Sequence, residues 1–291
     1  MTHALRETLH SLRASPVFAF YALVTLGLAG YNGLMVGQMA LKLDFYLPGQ
    51  FGQMAHGAVE SHRVHDLTFG FIYTTGIVGV LAQLRRPSQN VAGMLMALIP
   101  FVGLVLAAVL SDAGVIERNP LYLVAAVTAI AALLHPTGRA FFRSFSVSRV
   151  NWVTLALVII AAVPLLAVAS TNIGLQGIVS DDHAAQGHYA FMAAFSFTVI
   201  SVGLLSSLRP DGWRLTAWVT GLLPALLGLA SVVYPDVSSS LGLGWAFAAI
   251  AWGAVFVAAA ELTKNAESPK LLGLRGAVSK SERAPRGAPP S

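Results

Sequence analysis

The sequence predicts an all-α fold: a polytopic membrane protein of eight transmembrane helices, built as two tandem, parallel four-helix repeats. Three observations carry that reading. Of 291 residues 56% are hydrophobic and 11% charged, with a mean hydropathy of +0.69, whereas roughly a quarter of a soluble domain is charged. The apolar residues gather into runs close to the ~20 residues that a bilayer crossing needs. The second half of the chain also repeats the first. One offset of 123 residues lays His65 on His188, Thr75 on Thr198, Leu81 on Leu204 and Arg86-Pro87 on Arg209-Pro210. A fixed offset held over such a length marks a duplicated structural unit.

The spans follow in order. Val17 to Met39 comes after Arg6 and Arg13; it is too long for a signal-peptide core and no Ala-x-Ala site follows, so it is retained as the first helix. Within it Ala29, Gly33 and Gly37 recur every four residues, a face on which helix backbones approach closely. A long loop from Leu41 to Ser61, with Pro48, Gly49, Gly52 and Gly57, leads to the second span, Val64 to Leu84, which stops at Arg85-Arg86-Pro87. The third, Val91 to Leu110, contains Pro100, and the fourth, Pro120 to Leu134, is short enough to lie obliquely or to start near Val115.

The fifth span, Trp152 to Ser170, opens the second copy and contains Pro164. A shorter loop, Asn172 to Gln186, precedes the sixth span, Gly187 to Leu208, which stops at Arg209-Pro210. The seventh, Leu215 to Val233, carries Pro224 where the third carries Pro100, and the eighth runs from Leu241 to Ala260. Prolines inside spans kink them. The organisation is then a cytoplasmic N-terminal segment (1–15), repeat one (16–143), repeat two (144–265) and a basic, disordered cytoplasmic tail (266–291) rich in Lys, Arg, Ser, Pro and Gly. Four spans per unit make both copies point the same way across the membrane.

Charge placement gives the orientation. Fifteen of the 18 Lys and Arg residues fall at the termini and in alternate loops, leaving Lys42, Arg63 and Arg118 on the other side. This positive-inside bias puts both termini in the cytoplasm of a cell (inner) membrane. It also explains the net charge of +5 without nucleic acid; the expected partners are the lipid bilayer, membrane redox proteins or further copies of the chain. With no cysteine, disulfides, iron–sulfur clusters and zinc–thiolate sites are excluded. No ionisable residue lies near the middle of a span, which argues against a proton- or sodium-coupled transporter.

Polar chemistry concentrates at the outer face, at the entries to spans two and six. His56, His62, His65, His183 and His188 lie there with Glu60, Asp66, Asp181 and Asp182. His62, His65 and Asp66 share one face if the helix continues through them. By the repeat His188 stands where His65 stands. Imidazoles backed by carboxylates form a workable ligand set for copper, zinc or iron, the carboxylate setting the ring tautomer. The expectation is that His65 and His188 are the principal ligands and His62 and His183 further ones, with Glu60, Asp66 and Asp182 behind them or handling protons. Histidine and acidic residues are also ordinary at a membrane–water interface, where they stay solvated. His3, His10 and His135 fall on the cytoplasmic side and receive no role.

The eight spans, the two four-helix repeats and Glu60-Ser61-His62-Arg63 leading into span two together resemble the heme A synthase family. That family carries Glu-x-x-His-Arg at the outer end of its second helix, one residue longer than the motif here, and pairs histidines within each bundle to hold heme. The resemblance implies a heme as the group held by outer-face histidines. The reading therefore leads to a heme- or metal-binding membrane protein with redox capacity. A channel or carrier for a small neutral or apolar solute, or a non-catalytic assembly protein, stays open beside it.

Overall fold

A computed structural model describes residues 63–84, 89–111, 121–135, 149–185 and 187–264, together with residues 23, 24, 26, 27, 30, 31 and 34. Glu60 and His62, the loop 41–61, the segment 136–148 and the tail 266–291 lie outside the described residues, as does most of the first span. Among the described residues every regular element is a helix. The order is α1 (Arg63–Leu81, continued by a 3-10 turn over Ala82–Leu84), α2 (Val91–Leu110), α3 (Leu121–Leu134), α4 (Trp152–Ile178), α5 (Asp182–Ala185), α6 (His188–Ser207), α7 (Trp213–Val233) and α8 (Gly242–Leu262). Six of them, α1, α2, α4, α6, α7 and α8, are long and apolar enough to cross a membrane. The described positions between 23 and 34 are helical, and Val24 and Tyr31 pack against the core.

The polar side chains inside these helices satisfy themselves. Thr68, Thr75, Thr128, Thr198 and Thr220 each donate a hydroxyl to the carbonyl four residues earlier, at 2.7–2.8 Å, so they enter an apolar layer without an unmet hydrogen bond. Large side chains on α4 and α8 point outward: Ile159, Ile160, Val163 and Leu166 on one, Trp245, Phe247 and Val255 on the other. Each would forgo roughly 1.5–3 kcal/mol in water, so these faces suit lipid.

α6 is buried along most of its length and packs on α1, α2, α4 and α7. Its Phe191 and Phe195 join Phe69 and Tyr73 of α1 and Phe101 of α2 in one core, with Phe69–Tyr73 ring centroids 4.4 Å apart and Tyr73–Phe101 5.8 Å apart. α7 and α8 meet backbone to backbone. A Cβ on Gly221 would lie 2.6 Å from the Gly253 carbonyl oxygen, and one on Gly228 2.5 Å from that of Ala246. Between lipid-bathed helices close approach of this kind replaces the hydrophobic drive that water supplies.

The helix ends form two polar layers. At one, the α1–α2 and α6–α7 connections touch: Ala92 N–H donates to Asp211 O at 3.0 Å, and Gly212, at φ 87°, presses on Asn90. Asn151, which caps α4 by accepting from Thr154 N–H, also donates to Thr263 Oγ1 at 2.8 Å. The Arg209 guanidinium donates to Thr263 O at 2.8 Å and covers the Trp213 ring at 4.8 Å. His135, buried here, lies 3.2 Å from Gln83 Oε1 through its Nε2. The opposite layer holds the first turn of α1, the end of α4, α5, the first turn of α6 and the α7–α8 turn.

α4 runs eight residues beyond the span read from the sequence, ending at Ile178 rather than Ser170. The polar residues that suggested a loop are used inside the helix instead. Asn172 Nδ2 donates to Val168 O at 2.9 Å, one turn back, and Gln176 reaches the next element.

Candidate metal centre

α5 and the start of α6 are built by short-range polar contacts. Asp181 opens α5: its Oδ1 accepts from Ala184 N–H at 2.8 Å and its carbonyl from Ala185 N–H at 2.9 Å, as a helix-capping carboxylate does. Gly187 then turns the chain at φ 74°, a left-handed position that glycine occupies at little cost, and α6 begins at His188. Gln176 ties both pieces back to α4. Its Nε2 donates to Ala184 O at 2.6 Å and its Oε1 accepts Ala190 N–H at 3.1 Å, satisfying an amide that the first turn of α6 leaves without a helical acceptor.

These constraints aim two imidazoles, His183 from α5 and His188 from α6, at a third from the first turn of α1. His65 is 1% exposed and His188 5%; the His183 side chain is 14% exposed. Ring centroids lie 4.9 Å apart for His65–His183, 5.1 Å for His65–His188, which stack at 24°, and 5.7 Å for His183–His188. One ring nitrogen from each lies within 4.8 Å of the others, a grouping that could hold a metal ion. One ion bound at ~2.0–2.1 Å by each ring would set its nitrogens ~3.4 Å apart, inside the 4.8 Å within which these three lie.

Around the histidines stand Tyr189, Asp181 and Ser239. The Tyr189 ring is 5.8 Å from His183 and 6.0 Å from His65, and its hydroxyl donates to Asp181 Oδ2 at 2.9 Å. That same oxygen lies 3.7 Å from His183 Nδ1. Partial burial pushes the Asp181 carboxyl up, but the Ala184 amide, the Tyr189 hydroxyl and the His183 ring outweigh it and hold the group below the usual carboxylate range. The Ser239 hydroxyl, from the α7–α8 turn, lies 2.6 Å from His65 Nε2.

Of the residues singled out from sequence, His65, His183 and His188 are therefore together. Asp66 and Asp182 are exposed and stand outside the cluster; Glu60 and His62 lie outside the described residues. Among the described residues, the carboxylate that the fold brings to the histidines is Asp181. Sequence reasoning missed Gln176, Tyr189 and Ser239. A glutamine at the end of a run of apolar residues was a usable signal for the first. Nothing local to Ser238-Ser239-Ser240 distinguishes the residue that meets His65, 174 positions away.

No protein-family model, no curated protein and no solved structure matches this chain.

Proposed function

We propose that this protein is an eight-span membrane protein that holds a transition-metal ion on His65, His183 and His188 at the outer face of a cell membrane. The observation that carries the reading is the convergence of three imidazoles, contributed by α1, α5 and α6, at one end of an apolar helical bundle. An imidazole binds a metal ion through the lone pair of an unprotonated ring nitrogen, and each of the three rings offers one such atom to the same point. Three imidazoles with an open fourth position suit zinc, copper or iron. Copper binds such a nitrogen set most tightly of the three, and copper or iron would supply redox capacity that zinc lacks. A heme is less well suited, because its two axial rings must sit on opposite faces of a porphyrin, while His65 and His188 stack directly on one another with His183 beside them.

The duplicated-unit reading fits the same geometry. His65 and His188, equivalent under the 123-residue offset, would meet across the axis relating two parallel four-helix repeats. Thr75 and Thr198, equivalent under the same offset, make the same hydrogen bond to the preceding turn at 2.8 Å. The distribution of Lys and Arg supports cytoplasmic termini, which puts the histidine end outside.

The test is elemental analysis and a visible spectrum of the protein purified in detergent without a metal-affinity step. One equivalent of copper, zinc or iron per chain, lost in His65→Ala, supports the reading. A metal-free protein that takes up none of the three ions on titration refutes it. A Soret band would replace the single ion with heme.

A further inference from the structure

Ser239 is the one hydrogen-bonding group from the α7–α8 turn that the fold delivers to the histidine cluster, and its backbone is held in an unfavourable conformation to do so. Its φ is 65°, in the left-handed region where a residue bearing a Cβ is strained. Strain of that kind persists where the surroundings over-determine it. Here the turn is pinned on both sides of Ser239. Ser240 N–H donates to Val237 O at 3.1 Å, Ser240 Oγ to Ser231 O at 3.4 Å, and Leu241 N–H to Ser231 Oγ at 3.1 Å. Ser231 itself is fully buried in the last turns of α7. The result is an oxygen 2.6 Å from Nε2 of a ring that is 1% exposed.

An imidazole has two distinct nitrogens, and the partner on one decides which the other presents to a metal. We infer that Ser239 is the positioning residue of the metal centre, accepting a hydrogen bond from His65 Nε2–H and so presenting Nδ1 to the ion shared with His183 and His188. This rests on the metal-centre reading. In that arrangement His65 keeps its Nε2 proton, the Nδ1 lone pair is the donor, and the ring plane is fixed by a turn 174 residues away in sequence. Ser239 plays for His65 the part that carboxylates and carbonyls play for ligating histidines elsewhere, where loss of the partner weakens metal binding about 10- to 100-fold. Assembly of the site would thereby depend on the α7–α8 hairpin, which contributes no ligand of its own.

The experiment titrates cobalt(II), then copper(II), into metal-free full-length protein, wild type and variant, and reads affinity by chelator competition and coordination by the cobalt d–d spectrum. Ser239→Gly removes the hydroxyl and relieves the strained φ, so it should unfold at the same temperature as wild type or higher. Its metal affinity should nevertheless fall about 10- to 100-fold, with an altered d–d spectrum. Ser239→Ala should lose affinity equally, and Ser239→Asn, which tolerates the left-handed backbone and carries an acceptor oxygen, should regain part of it. Wild-type affinity and spectrum in both the glycine and alanine variants would overturn the role of Ser239 while leaving the metal centre standing. A wild-type protein that binds neither ion would overturn the metal centre and this inference with it.

Discussion

Replacing His188 with alanine would remove one of the three proposed ligands while sparing the helix that carries it. Alanine has the highest helix propensity, and position 188 is the first residue of α6, preceded by Gly187 in its left-handed turn. The Gln176–Ala190 bond that anchors this turn does not involve the imidazole. The lost side chain is 5% exposed and leaves a small void beside His65 and His183, costing roughly 1–3 kcal/mol of stability. The effect on metal should be larger. Four-ligand zinc sites bind with about 10–16 kcal/mol, or ~2.5–4 kcal/mol per ligand, so removing one ligand should weaken binding about 70- to 900-fold. The assay is chelator-competed copper or zinc binding to protein in nanodiscs, with size-exclusion behaviour as the control for folding. His135→Ala is the comparison variant, since that histidine is buried at the opposite end against Gln83. Unchanged affinity in His188→Ala, or an equal loss in His135→Ala, would refute the assignment of the three outer histidines.

Gly221→Val should lower the unfolding temperature by the equivalent of about 1–3 kcal/mol, because its Cβ would start 2.6 Å from the Gly253 carbonyl; Gly174→Val on α4, whose Cβ would meet none of the described residues within 4 Å, should be nearly silent in the same thermal scan. Single cysteines at Asp182 and at Arg149 test orientation: an impermeant thiol reagent applied to whole cells should label Asp182→Cys and spare Arg149→Cys, and the reverse pattern would invert the topology. Asp181 titrates below its ordinary value in the folded chain, so its stabilising contribution is present above the unfolded pKa of about 3.9 and is lost as pH falls through the lower folded value. Asp181→Asn should accordingly flatten the acid limb of stability against pH, seen in thermal unfolding scans between about pH 2 and 6.

The membrane character of this protein is determined by its sequence alone. A run such as Val91–Leu110 has no ionisable residue, and in hydrocarbon a helix is the one local conformation that satisfies its backbone without a partner strand. Local chemistry also determines where several helices stop and start, as at Gly187 and Gly212, whose positive φ values suit glycine. The end of α4 was misjudged for an equally local reason. The sequence reading ends the span at Ser170 and opens a loop at Asn172, but a helix can absorb such polar side chains by hydrogen bonding to its own previous turn, and Asn172 does. The repeat and their clustering at the entries to two spans brought His65, His183 and His188 to notice among the eight histidines of the chain.

Their meeting is decided by tertiary structure. His183 and His188 are neighbours in sequence, but their distance from His65 depends on α6 packing against α1, a contact between segments more than a hundred residues apart whose apolar faces carry no address. The same packing brings in Asp181 in place of Asp182: Asp181 caps α5 and turns its carboxylate toward Tyr189 and His183, while its neighbour faces solvent. Ser239 is the clearest case. Three serines in a row are chemically equivalent as text, and only the turn closed on Ser231 places one of them against His65. Composition and periodicity report which solvent each face prefers, and that preference is a local property. The site depends on which faces meet, and that is settled by close packing of side chains over the whole bundle.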